Sequence, residues 1–244
     1  MTRQEWINKC EHWKTVWPVM QEEYLEDTGG LNLYAVLDAV NKYSTVDHVL
    51  MGDAGSISYA GPVALNPKQN QRMVFSPAQA DMGWALPGAI GVALASKKPI
   101  ISIIGDGSFM SNIQELAVAK QHNLDIAFVI LNNKGYLSIK NTQEKYFEGR
   151  VFGTSDSTGL WFPDFGKVAE SFGLGYHKLT NINELNNLEW IVNQKGPRIV
   201  DCICTATQEI APSQALKNGK QAGLHDMAPF LSDEELAKEM IVKL

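Results

Sequence analysis

Two apolar runs constrain this chain more than anything else in it: Pro99-Ile100-Ile101-Ser102-Ile103-Ile104 and Ile126-Ala127-Phe128-Val129-Ile130-Leu131. Neither alternates with polar residues, as a strand with one wet face would. Both therefore read as strands buried on two faces, the pattern of a parallel sheet covered by helices. The first run leads into Gly105-Asp106-Gly107-Ser108, and the second into Asn132-Asn133-Lys134-Gly135, with Asn133 27 positions after Asp106. Parallel packing brings both ends to one rim, where ligands of such sheets bind. A carboxylate (Asp106), an amide oxygen (Asn133) and a backbone carbonyl (Gly135) suit a hard divalent cation, and magnesium keeps positions open for phosphate oxygens. Gly107 gives the backbone freedom to turn. The helix after it aims N–H groups at an anion, and Ser108 adds a hydroxyl. Asp106 carries the same sign of charge as a phosphate, so a cation has to sit between them. The pair of strand ends reads as a Mg²⁺–diphosphate clamp.

The remaining sequence alternates short strands with helices. Helices are expected over 3–16, 31–40, 83–96, 112–121, 165–172, 183–194 and 232–240, the last opened by the capping pattern Ser232-Asp233-Glu234-Glu235. Strands are expected at 48–51, 72–75, 99–104, 126–131, 175–178 and 198–204, with a polar segment from 132 to about 160. The fold class is α/β, a three-layer, mostly parallel sheet with helices on both faces. Three parts are expected: 1–30 as a helical lead-in, 31–210 as the α/β domain, and 211–244 as a tail ending in a helix. Hydrophobic residues make up 45% of 244, enough for a full core, and a net charge of −6 argues against nucleic acid as a partner. Cys202 and Cys204 share a strand face and, without CxxC or Cys/His spacing, read as small apolar residues. With neither an apolar signal core after Met1 nor a run near 20 apolar residues, a soluble cytoplasmic protein is expected.

Gly105-Asp106-Gly107-Ser108-Phe109 followed by Leu131-Asn132-Asn133 resembles the signature of thiamine-diphosphate enzymes. The segment Phe75–Gly91 and the opening Trp6-Ile7, Trp13-Lys14 and Trp17-Pro18 resemble acetolactate synthase. The tail Leu224–Leu231 and the stretch Gly135–Gln143 are similar to acetolactate-synthase-like proteins of surface-polysaccharide and nucleotide-sugar pathways. The resemblance covers nearly the whole chain. It implies thiamine diphosphate and Mg²⁺ as cofactors, with Asp106, Asn133 and the Gly135 carbonyl on the metal. Gly107 and Ser108 would hold the diphosphate, closed on the far side by backbone N–H groups of Gly55, Ser56 and Ile57. Met82 would support the bent cofactor, and the Ala80 carbonyl would accept from its exocyclic amine. A soft, adaptable methionine suits such a buttress.

Enzymes of this kind also need a glutamate from a pyrimidine-binding domain, which in the longer relatives precedes the part matched here. The chain is therefore either a fragment of such an enzyme or one subunit of a split one; the expectation is the diphosphate-binding subunit, acting with a pyrimidine-domain partner in an α₂β₂ assembly. The reaction implied is decarboxylation of a pyruvate-like 2-oxo acid and transfer of the acyl-anion equivalent to a carbonyl acceptor. Where acetolactate synthases carry an acceptor-pocket tryptophan, this chain has Thr142, so the acceptor is expected to differ. Alternatives are a non-ligating decarboxylase subunit acting on sulfo- or phosphonopyruvate, and a non-catalytic nucleotide-binding subunit. No iron–sulfur cysteine pattern supports a ferredoxin-coupled enzyme, and Gly52-Asp53-Ala54-Gly55 does not extend to GxGxxG.

Overall fold

The apolar runs form the centre of a six-stranded sheet in which every pairing is parallel, in the order β2-β1-β3-β4-β6-β5. The computed structural model describes residues 1–26, 29–76 and 78–242. The chain divides into two units, Met1–Gln208 and Glu209–Leu244. In the first, the elements are α1 (Arg3–Val16), α2 (Leu33–Tyr43), β1 (Val49–Gly52), α3 (Ser56–Ala64), β2 (Met73–Val74), α4 (Ala85–Ser96) and β3 (Ile100–Gly105). They continue with α5 (Asp106–Ser111), α6 (Leu116–Gln121), β4 (Ile126–Asn132), α7 (Leu137–Tyr146), α8 (Phe165–Phe172), β5 (Gly175–Leu179), α9 (Leu188–Ile191) and β6 (Arg198–Ile203).

The uninterrupted apolar pattern has the cause inferred from it, since every residue of β4 is buried and only the last residue of β3 and of β6 is less than fully so. Alternate side chains serve opposite layers. Val49, Met51, Ile100, Ile104, Ile126, Phe128, Ile130 and Ile199 form one core with α4, α6 and α8. The small residues of α4 bury Ala85, Leu86, Ala89, Ile90 and Ala93 along one side, and the Ser102 hydroxyl in β3 donates to the Ala85 carbonyl at 3.2 Å. On the other face α3 packs on β1 and β3, and α2 packs on α3 and α9. The result is helix, sheet, helix.

After β1 the chain steps outward to β2, then returns to place β3 on the other side of β1. That reversal opens a crevice at the carboxyl ends of β1 and β3, the place where α/β sheets bind ligands. At the opposite end of the sheet Arg198 is buried, with its guanidinium bonded to Asp125 at 2.9 Å and to the Val192 carbonyl at 2.6 Å.

Four stretches differ from the sequence expectation. The polar segment beyond Asn132, in which no element was expected, contains a helix, α7. The expected helix 112–121 is a 3₁₀ turn, Ile113–Glu115, followed by α6, and the expected helix 183–194 is a 3₁₀ helix, Ile182–Asn187, followed by the four-residue α9. Residues 56–64, not read as an element, form α3. Helix α1 matches 3–16 and carries a Thr2/Glu5 capping box, but none of its residues is buried. Among the described residues no helix is long and apolar enough to cross a membrane. The second unit, taken alone, has a short hairpin, β7 (Leu216–Lys217) with β8 (Lys220–Gln221), and a helix, α10 (Asp233–Glu239), capped by Ser232. Lys217 joins Asp226 and Asp233 there, at 2.8 and 3.0 Å.

Candidate cofactor site

The crevice at the carboxyl ends of the strands deepens into a cleft open to solvent on one side. All ten residues singled out from the sequence line it. Asp106, Asn133 and Gly135 come from the ends of β3 and β4, and Gly107 and Ser108 from the start of α5. Gly55, Ser56 and Ile57 open α3, while Ala80 and Met82 come from the loop before α4.

Asp106 is 1% exposed. One carboxylate oxygen accepts from the Gly107 N–H at 2.7 Å, and the other from the Gly135 N–H at 3.1 Å. Burial pushes its pKa up to about 7, against the pull of the N–H groups of Gly107, Gly135, Lys134 and Asn133. Backbone dipoles alone thus leave the charge under-compensated, and a cation would complete the compensation. Among the described residues no group of three His, Cys, Asp or Glu could hold a metal. The oxygen donors at this rim are a carboxylate, an amide and backbone carbonyls, the set that suits magnesium.

Two glycines permit close approach. A Cβ on Gly107 would lie 2.2 Å from the Tyr136 ring, and one on Gly135 would lie 2.2 Å from the Thr154 carbonyl oxygen. On the facing wall, Gly55 turns at φ +62° into α3, whose first turn has no side-chain cap. Uncapped N–H groups at a helix start favour an anion. Ala80 takes φ +52°, a left-handed backbone rare for a residue with a Cβ and a form of local strain found at ligand sites. Met82 is 42% exposed, so it opens into the cleft instead of joining the core.

Gln208 was not foreseen in the cleft wall. Gln208 accepts from the Leu33 N–H at 2.9 Å, and its own carbonyl accepts from Asn141 at 3.1 Å, tying α2 and α7 to the cleft wall. Helix α7 contributes Leu137, Ser138 and Ile139. A shallower depression adjoins along α7, sharing Ser138 and Ile139 and including Thr142 and Arg150. Burial raises the Cys202 and Cys204 thiols above their usual range, in keeping with an apolar role.

Asp53 was also missed, although an acid directly after the buried run Val49–Gly52 needs partners. It accepts from the Ala54 N–H at 2.7 Å and from the Ala85 N–H at 3.4 Å, linking the β1 end to the start of α4. Burial raises its pKa from 3.8 to about 6. The folded chain therefore holds this proton to higher pH than the unfolded chain. Its contribution to stability is fully present below about pH 4 and lost as pH rises to about 6, a change on the order of 3 kcal/mol. Denaturant midpoints of ligand-free Asp53→Asn measured from pH 4 to 6 are expected to lack this fall. An unchanged slope would assign it to another group.

A family model described as thiamine pyrophosphate enzyme, C-terminal TPP binding domain, matches residues 53–202. The chain belongs to this family. Thiamine pyrophosphate is thiamine diphosphate, and the matched stretch contains all ten residues described above. Similar curated proteins are acetolactate synthases. The large subunit from Cyanidium caldarium is 28% identical over 229 residues, 91% of this chain and 37% of that protein. The mitochondrial catalytic subunit from Aspergillus candidus is 24% identical over 253 residues, 99% of this chain and 34% of the relative. The isozyme 1 large subunit from Escherichia coli strain K12 is 28% identical over 184 residues, 75% and 32% respectively. This acetolactate-synthase-like chain thus spans about a third of the length of the curated relatives it matches.

Proposed function

We propose that this chain is the diphosphate-binding subunit of a split thiamine-diphosphate enzyme that decarboxylates a 2-oxo acid and transfers the acyl-anion equivalent to a carbonyl acceptor. The observation that carries this reading is the meeting, in one cleft, of an uncapped α3 start with a buried Asp106 carboxylate enclosed by the β4 loop. Bound thiamine diphosphate supplies the electron sink for carbanion chemistry that no side chain provides.

The chain's own residues then have separate tasks. Asp106, Asn133 and the Gly135 carbonyl would hold Mg²⁺. Gly107 and Ser108 hold the diphosphate from one side, and the N–H groups of Gly55, Ser56 and Ile57 from the other. Ala80, in its left-handed conformation, presents its carbonyl to the exocyclic amine. Met82, open to the cleft, would support the bound cofactor from below, a role that suits a soft, adaptable side chain. Among the described residues Asp106 is the only carboxylate lining the cleft, and the cation occupies it. On this reading a pyrimidine-binding partner chain supplies the carboxylate that would protonate the pyrimidine ring, in an α₂β₂ assembly.

The test is ligand-dependent unfolding of the purified chain. Mg²⁺ with thiamine diphosphate at about 100 times its Kd is expected to stabilise by about 2.7 kcal/mol, raising Tm by roughly 5–10 °C. NAD or Mg²⁺–ATP is expected to do nothing. Stabilisation by those two alone would end this reading. Pyruvate turnover by the chain without a partner would remove the split arrangement, and aldehyde as the product with a partner would replace transfer by simple decarboxylation.

A further inference from the structure

The tandem Asn132-Asn133 ends β4, and its two side chains go to different places. Asn133 lines the cleft. Asn132 is 8% exposed, and both ends of its amide are used elsewhere. Its Nδ2 donates to Asp201 Oδ1 at 2.8 Å, and its Oδ1 accepts from the Lys134 N–H at 3.2 Å. The second oxygen of Asp201 accepts from the Tyr176 hydroxyl at 3.0 Å. Asp201 is 4% exposed and interrupts the apolar strand β6, one strand over from β4. Tyr176 lies on β5, the next strand out. Three neighbouring strands thus join in one side-chain chain that ends on the backbone of the β4 loop.

That loop holds the cation donors. Lys134 sits at φ +58°, a conformation that a residue with a side chain adopts only when held. Asn133 and Gly135 flank it, and Gly135 bonds Asp106. We propose that Tyr176, Asp201 and Asn132 are positioning residues for the cation site, fixing Lys134 so that Asn133 and Gly135 meet Asp106. The inference rests on the cofactor reading above. An apolar substitute for Asp201 would suit the strand better, and a buried carboxylate without its partners is costly. Its retention among Ile199, Val200 and Cys202 therefore has a cause in the loop it anchors.

Two measurements on the full chain test this. Amide exchange at Lys134 and Gly135, taken without ligand, is expected to accelerate at least tenfold in Asn132→Ala. The Mg²⁺ concentration giving half-maximal stabilisation by millimolar thiamine diphosphate is expected to rise about 10–100-fold, the usual effect of removing a partner one step behind a metal ligand. Asp201→Asn can keep both bonds, its oxygen accepting from Asn132 and its amide donating to Tyr176. It is expected to stay within twofold of wild type in both readouts, which a site that depended only on the negative charge would not allow. If Asn132→Ala does not fold, Tyr176→Phe is expected to raise the Mg²⁺ requirement at least threefold. Unchanged exchange, or an unchanged Mg²⁺ requirement in a responding wild type, overturns the proposal. A wild type that thiamine diphosphate does not stabilise overturns the cofactor reading instead, and this inference with it.

Discussion

Asp106→Asn is expected to lower Mg²⁺-dependent affinity for thiamine diphosphate by about two to three orders of magnitude while the chain stays folded. Removing one partner from a buried charge pair costs about 3–5 kcal/mol, and each 1.4 kcal/mol is a factor of ten. The ligand-free chain loses far less, because two effects oppose. Asparagine removes a buried charge whose pKa burial has pushed up to about 7. It also turns an amide group toward the N–H of Gly135 or of Gly107, where the carboxylate accepted from both. One N–H left without a partner costs about 1–3 kcal/mol, similar to the relief gained. Affinity and stability therefore separate in this variant. Proton and cation also compete for wild-type Asp106, so the Mg²⁺ requirement is expected to rise as pH falls below about 7, and the variant is expected to lack that rise. Calorimetric titration checks both, with circular dichroism for the fold. Near wild-type affinity in the variant would remove Asp106 from the cation site.

The elements legible in the sequence were those whose environment leaves one reading. Strands β3, β4 and β6 are buried on both faces, so nothing polar interrupts them apart from Ser102 and Asp201, and both of these have partners in the structure. Helix α4 was legible from its run of small and apolar residues. Helix α7 was not, because Leu137 is its only buried residue, Ile139 and Tyr146 are exposed, and the rest of its sequence is polar. Helix α3 was hidden by Gly61 and Pro62, poor helix formers inside a helix; burial of Ile57, Ala60 and Gly61 overrides that local preference.

The residues singled out for the cleft sit at or near strand ends, which were easy to find, and the structure brings them to one cleft. What stayed hidden were residues acting through others. Asp53 and Asp201 carry no signal in the sequence beyond an acid beside an apolar run, and the Ala85, Asn132 and Tyr176 groups that they bond are distant in sequence. Position had pointed to Asn133 for the cation and given Asn132 no role; it took the 2.8 Å bond to Asp201 to supply one.

Gly135→Ala is expected to be the most damaging of the small substitutions at the rim. The cause is steric, because Gly135 does not have a positive φ and alanine can adopt its backbone conformation. The added Cβ would meet the Thr154 carbonyl oxygen at 2.2 Å, a backbone atom that cannot rotate away. Thr154 is held in turn by the Tyr136 N–H at 2.9 Å, and Gly135 pairs with Ser155 as an isolated bridge. Relief requires the two segments to part, at a cost of about 1–3 kcal/mol for forced overpacking. As they part, the Gly135 N–H leaves Asp106 and its carbonyl leaves the cation position, so the Mg²⁺ requirement rises together with the loss of stability. That pairing distinguishes the variant from Asp106→Asn, in which affinity falls alone. Gly91→Ala serves as the control. It lies inside α4 with nothing within 4 Å of an added Cβ, and is expected to stabilise by about 0.5–1 kcal/mol with an unchanged Mg²⁺ requirement. Urea midpoints for the two variants, each with a Mg²⁺ titration, decide the matter. Equal midpoints would mean that the Thr154 segment yields freely and that the close packing at Gly135 does not hold the loop.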